Sequence, residues 1–438
     1  MASANAEITL ELEDIQGTIL RRRPDKYHGA YILYRVDDVA AAKASLRQVL
    51  PHVTSASDWG VPRPFTLNIV FTHEGLLAMG VPAEDLSHFP DEFCAGMAAR
   101  KQVLGDYGAS DPSAWIAPFG SGQVHIGVMI SSKTEAELKE PLQIAHGMSG
   151  VTVVYHLDVG VPPTGREHFG YRDGINDPLV IGSGQVPHPG QDSILPGEFL
   201  LGYPNESGGI TPLPGPQALT RNGSFLAFRQ LHTDVAAFRR FLRSNARSKE
   251  DEELVAAKIV GRWRSGAPLM LAPEKDDPDL AADPQRNDNF VYASDPKGLI
   301  CPLGSHIRRT NPRDGLADSI VNPRIHRVLR RGAAYGPVLP EDAMDDDGVE
   351  RGIVFIFMGA SIAQQFEFVQ QVWINNGDFV GLGEEKDALV GNNDGTGTYT
   401  IPDKPIRRRL SGLPAFVTVR GGEYCFLPGM QALAWIAR

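Results

Sequence analysis

No C-x-x-C spacing occurs in this chain, and its 438 residues hold only three cysteines, Cys94, Cys301 and Cys425. An odd, widely spaced set makes neither a disulfide framework nor a cysteine-type zinc site. Such usage fits a reducing compartment. No apolar run approaches the roughly 18 residues that a spanning helix needs. The opening stretch, MASANAEITLELEDIQGTILRRRPDKY, lacks an apolar core of signal-peptide length and is acidic early. A cytoplasmic location without a classical export signal is expected. Positive charge is also in deficit, with a formal net charge of -11. Nucleic-acid binding needs a basic face, and anionic membranes repel an acidic chain, so neither partner is expected. There is no G-x-S-x-G elbow, no phosphate-binding G-x-x-x-x-G-K-[ST] loop, and no H-x-x-x-H pair around His306. A metal hydrolase or a plain binding protein therefore has little to stand on.

What is present suits a globular protein. Hydrophobic residues make up 42% and charged residues 22%, enough for a large core in two or three domains. An internal echo runs through the chain. AYILYRVDDVAAAKASLRQVL (30–50) and SFLAFRQLHTDVAAFRRFLRSNA (224–246) each start as a β-branched and aromatic strand. Each then passes through Asp-Val-Ala-Ala into a helix, with Val235, Phe238, Phe241 and Leu242 on one face in the second copy. A second plan, strand then helix, repeats at 124–147 and 352–375. The pattern predicts a duplicated α+β unit with helices packed on one face of each sheet. Three Pro/Gly-rich or acidic stretches, 187–217, 264–300 and 341–352, read as connectors or surface excursions.

Two motifs carry chemical promise. EHFGYRDGINDPLV (167–180) places Asp173 between turn-forming glycines. ICPLGSHIRRTNPRD (300–314) sets His306 beside Arg308, Arg309, Asn311 and Arg313. Several guanidinium groups next to one imidazole suit a ligand bearing two carboxylates, and neutral imidazole is a common axial haem ligand. NPRIHRVLRRGAAYGP (322–337) adds Arg324, Arg327, Arg330 and Arg331.

GYRDG together with GSHIRRTNPR and RRGAAYG resembles the dye-decolourising peroxidase family of haem enzymes. The likeness extends to DIQGTIL, PGEFLLGYPNE, ASIAQQFEFVQQVW and GGEYCFLPGMQAL, and so through nearly the whole chain. It implies an α+β fold of two ferredoxin-like domains, with antiparallel sheets and peripheral helices, at residues 1–215 and 216–438. Haem b would be held mainly by the second domain. His306 would be the proximal iron ligand, Asp173 the distal acid–base residue, and Arg330 the distal arginine, with Arg327 the alternative. Arg313 would meet a haem propionate, with Asn311 and Arg309 as further contacts. Ile353 and Phe355 would wall the distal pocket. The family usually has Leu where Ile353 stands. Asp387, or alternatively Glu385, would accept the His306 N–H, although Ala388 follows where the family often has Pro. Trp373 and Tyr335 align with positions that carry electrons to bulky donors.

The implied reaction consumes hydrogen peroxide and oxidises aromatic small molecules such as anthraquinone dyes and phenols. A carboxylate can shuttle the peroxide proton when ionised, and it ionises at lower pH than an imidazole does. A guanidinium stays charged and stabilises the anion that builds as the O–O bond breaks. A haem-binding or iron-release protein with little turnover is the alternative that keeps His306 but does not need Asp173 and Arg330. A monomer or a homodimer is expected.

Overall fold

β1 (His28–Val36) forms from the run HGAYILYRV, whose central residues are all buried. Asp38 ends it and caps α1 (Val39–Val49), its carboxylate accepting the N–H groups of Ala40 and Ala41. β2 (Phe65–Phe71) and β3 (Ile126–Ser132) follow. A reciprocal Thr134–Glu137 capping box then starts α2 (Glu135–His146), which leads to β4 (Val151–Gly160). These strands lie antiparallel in the order β4-β1-β3-β2. The computed structural model describes residues 8–58, 63–317 and 319–438.

The plan then repeats. β5 (Ser224–Thr233) leads through an Asp234 cap into α3 (Val235–Asn245), which buries Val235, Phe238, Phe241 and Leu242 as the sequence predicts. Next come α4 (Lys249–Val260), the single-turn α5 (His306–Thr310), β6 (Leu329–Arg330), β7 (Ala333–Tyr335) and β8 (Gly352–Gly359). Two π-helical pieces, Ile362–Glu367 and Val369–Ile374, precede β9 (Val417–Leu427). β6 and β7 pair with β8 in one unbroken register, Arg330 opposite Phe357 and Ala333 opposite Val354. They act as one strand interrupted at Arg331-Gly332. The order β9-β5-β8-β7 matches that of the first unit.

The two ferredoxin-like units, residues 1–215 and 216–438, share one core. β2 meets β9 at Phe71 and Phe426, and β4 meets β7 at Gly160 and Ala334. The sheets thus join at both edges into one barrel, closed by the β5–β8 pairing within the second unit. Closure removes the exposed strand edges that each half would carry alone. Inside, Phe228 of β5 packs edge-on to Tyr31 of β1 at 5.6 Å and stacks on Phe119 at 5.7 Å. Gln16 of the DIQGTIL segment stitches one seam: its side-chain amide donates to the carbonyls of Ile69 and Pro428 at 2.8 and 2.9 Å.

The 264–300 stretch is irregular apart from one turn at Pro278–Ala282, as expected. Its acidic piece runs largely over the surface, exposed at 273–276 and 284–286, while Leu280, Ala281, Asp288, Phe290 and Tyr292 are buried and anchor the stretch to the molecule. The 341–350 stretch does run over the surface. No helix among the described residues is long and apolar enough to cross a membrane.

Candidate active site

Side chains alternate across β5 and β8. Phe228 of β5 and Val354, Ile356 and Met358 of β8 are buried on the barrel side. Arg229, Leu231, Thr233, Ile353, Phe355 and Phe357 point the other way and line a cavity of 270 Å³. The opposite wall comes from α5, the π-helical stretch and the 389–392 turn. Ile353 and Phe355 therefore share one wall, as their alternate spacing predicts. Leu231 and Phe357 extend it, with Phe355 and Phe357 rings 4.0 Å apart. The i, i+2 period reaches Phe357, but nothing local in the sequence points to Leu231.

His306 opens α5 and lines the cavity. Its Nδ1–H donates to Asp387 Oδ2 at 2.9 Å, which leaves Nε2 for a ligand. Asp387 is fully buried, and its other oxygen accepts the N–H groups of Leu389 and Val390 at 2.8 and 3.0 Å. Burial pushes the Asp387 carboxyl up, but attraction to His306 and Arg309 and the N–H bonds outweigh it, so the pKa is lowered. The carboxylate is thus a fixed acceptor that orients the ring. Glu385, the alternative, is engaged elsewhere: its carboxylate accepts the Thr400 N–H at 3.0 Å and the Thr400 hydroxyl.

The arginines beside His306 divide. Arg309 is completely buried and does not line the cavity, which corrects its place as a cofactor contact. Its guanidinium donates to the carbonyls of Trp373 (2.7 Å), Asn376 and Glu385, and lies over the Phe379 ring. Arg308 binds Asp295 and the Cys301 carbonyl on the other side. A helix of one turn has little stability of its own, and these two side chains clamp it. Arg313 does line the cavity, over the Phe290 ring at 4.0 Å. It donates to the carbonyls of Gly190, Asp288 and Phe290 and to the Asp288 carboxylate at 2.5 Å. Asp288 also takes Arg262 at 2.8 Å and the Asn176 amide at 3.0 Å. This buried hub was invisible in the sequence, because its partners lie in three separate segments. Asn311 lines the cavity with its buried Nδ2 free of any partner among the described residues.

Across the cavity stands the 167–177 turn. Glu167 accepts the N–H groups of Phe169 and Tyr171, both at 2.8 Å, and folds the chain back. Gly170 and Gly174 then take φ of +92° and +76°, which side-chain-bearing residues seldom adopt. Asp173 stands between them, its Oδ1 accepting the Gly174 N–H at 2.6 Å and Arg330 Nη1 at 3.4 Å. Arg330 Nη2 donates to the Asn176 carbonyl at 3.0 Å. Burial lowers the Arg330 pKa, but Asp173, Asp177 and Asp288 more than offset it, and the net shift is upward. Arg327, the alternative distal arginine, lines the cavity but is spent on the Asn176 side chain at 2.9 Å and faces Asp192 at 3.5 Å.

Trp373 and Tyr335 are both buried, 2% and 4% exposed, so neither presents its ring to solvent. The wide π turns explain the first. Phe366, Val369, Gln370 and Ile374 face the cavity, while Trp373 turns onto His326 and Phe368 at 5.3 and 5.4 Å. The Tyr335 hydroxyl donates to the Leu231 carbonyl at 3.2 Å, and its own carbonyl sits 2.8 Å from His168 Nε2.

Residues 14–158 match the family model described as the DyP dimeric alpha+beta barrel domain. A dye-decolorizing peroxidase of Mycena epipterygia is 33% identical, over 98% of this chain and 87% of the relative. The chain belongs to the dye-decolorizing peroxidase family. Dye-decolorizing peroxidase AauDyP1 of Auricularia auricula-judae is 32% identical over 99% of this chain and 88% of its own. A solved dye-decolorizing peroxidase in complex with 2,6-dimethoxyphenol superposes with a TM-score of 0.86 at 31% identity, covering 98% of this chain and 100% of that one. Dye-decolorizing peroxidases are haem enzymes, and the residues here fit the group. An imidazole with a free Nε2 faces an apolar wall. Arg313, and the Asn311 Nδ2 and Tyr171 hydroxyl that have no partner among the described residues, supply donors near the lining.

Proposed function

We propose that the cavity holds haem b, with His306 Nε2 toward the iron and Asp173 and Arg330 on the peroxide side. The observation that carries this reading is the single cavity lined both by the Asp387-backed His306 and by the Asp173–Arg330 pair. The protein is a peroxidase of the dye-decolorizing type, and its oxidisable substrates are dyes and phenols. When bound, haem supplies a redox-active iron that takes oxidising equivalents from peroxide and passes them on one electron at a time.

The chain's own groups do the rest. Asp173 Oδ1 is already held by the Gly174 N–H and Arg330, which leaves Oδ2 to take up the peroxide proton and return it to the departing oxygen. Arg330 Nη1 sits beside the same carboxylate, where a fixed positive charge lowers the cost of the developing anion. Asp387 holds the His306 Nδ1–H, fixing the tautomer and strengthening Nε2 as a donor. Ile353, Phe355 and Phe357 exclude bulky donors from this side, so large dyes are oxidised outside the cavity. Asn311 and Arg313 are placed to receive the propionates. The unpaired Cys94, Cys301 and Cys425 agree with a reducing, cytoplasmic setting.

Purified protein loaded with haem should show about one haem per chain and decolourise an anthraquinone dye with peroxide at acid pH. Stable haem with negligible turnover would replace this reading by haem storage or iron release.

A further inference from the structure

Asp177, at the end of the distal turn, is buried where Arg22, Arg330 and Arg331 converge. Its Oδ2 accepts from Arg331 Nη1 at 2.9 Å and lies 3.4 Å from Arg22 Nε. Its Oδ1 accepts no hydrogen bond among the described residues, although it is buried, and it lies 3.7 Å from Arg330 Nε. Asp173, by contrast, is half exposed and holds Arg330 at 3.4 Å, longer than the roughly 2.7–2.9 Å of a good charge-assisted bond. The guanidinium thus bridges a loose, wet carboxylate and a buried one with an acceptor to spare.

We infer that Asp177 is the resident counter-ion of Arg330, a positioning residue that keeps the guanidinium partnered while Asp173 gains and loses its proton. The inference rests on the assignment of Asp173 and Arg330 as the peroxide-handling pair. Arg330 is 30% exposed; were Asp173 its only carboxylate partner, each protonation would leave the guanidinium without a counter-ion and free to swing away from the peroxide side. With Asp177 in place, Arg330 Nε–H closes onto the spare Oδ1 and Asp173 is released. Arg331 and Arg22 hold Asp177 still, and Arg22 also donates to the Gly174 carbonyl at 2.8 Å. The same three groups therefore fix both the turn that carries Asp173 and the charge that faces it.

A double-mutant cycle in the haem-loaded protein tests this, with Asp177→Asn, Arg330→Gln and the double variant. Two quantities are read: the second-order rate with peroxide, and the cyanide dissociation constant by haem absorbance. Asp177→Asn should lower the rate and weaken cyanide by about tenfold each, within the coupling seen between contacting residues, and do neither in the Arg330→Gln background. Haem content and the KM for a phenol should stay at parent values. A loss of equal size with and without Arg330 overturns the inference, as does no change beyond about twofold. Should Asp177→Asn not fold, Asp177→Glu keeps the charge that Arg331 needs. It should slow peroxide only when Arg330 is present, and an equal loss in both backgrounds would again overturn the claim. If Arg330→Gln alone changes neither quantity, the assignment of the peroxide-handling pair has failed, and the inference fails with it.

Discussion

At the scale of single residues, the site is a set of charges whose partners are fixed. His306 is useful because Asp387 has no freedom: two backbone N–H groups and the imidazole consume its acceptors. Asp387→Asn replaces one acceptor oxygen by a donor and removes the charge. Haem affinity or peroxide rate should then fall about 10–100-fold, measured by haem titration and stopped flow. Glu385→Gln, whose carboxylate serves Thr400, should leave both unchanged. Asp173, Arg330 and His306 were singled out through the motifs that resemble the family, and the fold brings all three to one cavity. Arg309 misled because Arg-Arg after a histidine looks like an anion site. The direction of each guanidinium is set by α5 packing against 373–385, which no local pattern reveals. Asp288 was missed for the same reason, since its partners Arg262, Asn176 and Arg313 meet only in the fold.

At the scale of elements, turns and strands aim these charges. A Cβ at Gly174 would meet nothing within 4 Å, so its φ of +76° alone penalises a side chain. Gly174→Ala should cost roughly 1–2 kcal/mol through that strain and slow the peroxide step without haem loss, checked by melting and stopped flow. β9 carries a different liability. Glu423 pairs in register with Phe228 and so points into the barrel, where among the described residues its carboxylate accepts only the Gly120 N–H at 3.0 Å. Burial raises its pKa from 4.5 to about 7. A raised acid stabilises the fold below its unfolded value and loses that contribution as pH climbs through the folded value. Glu423→Gln should therefore match the parent near pH 4 and be the more stable by about 3 kcal/mol well above pH 7. Melting curves from pH 4 to 8 decide it; a constant difference across that range would contradict the burial argument. Strand and helix starts were readable, as Asp38, Thr134 and Asp234 show, since caps are local chemistry. The π-helical winding of 362–374 was not, and it is what separates Trp373 from the cavity.

At the scale of the whole molecule, duplication and closure go together. The repeated plan was visible because strand-then-helix patterns recur in order. The barrel was not, because edge-to-edge pairing at Phe71–Phe426 and Gly160–Ala334 leaves no periodic mark. Residues 216–438 alone would expose the inner face of β5, β8 and β9 and lose Tyr31, Phe119 and Gln16 as partners. That fragment should show no cooperative unfolding transition by circular dichroism. The molecule also brings motifs 133 residues apart, Asp173 and His306, to one cavity, and the central claim concerns that meeting. The most direct test mixes the haem-loaded protein with peroxide at acid pH and follows haem absorbance by stopped flow, for the parent and for Asp173→Asn. The account expects the variant to keep its haem and to react about 10²–10⁴-fold more slowly; a rate equal to the parent's would remove Asp173 from the chemistry and contradict it.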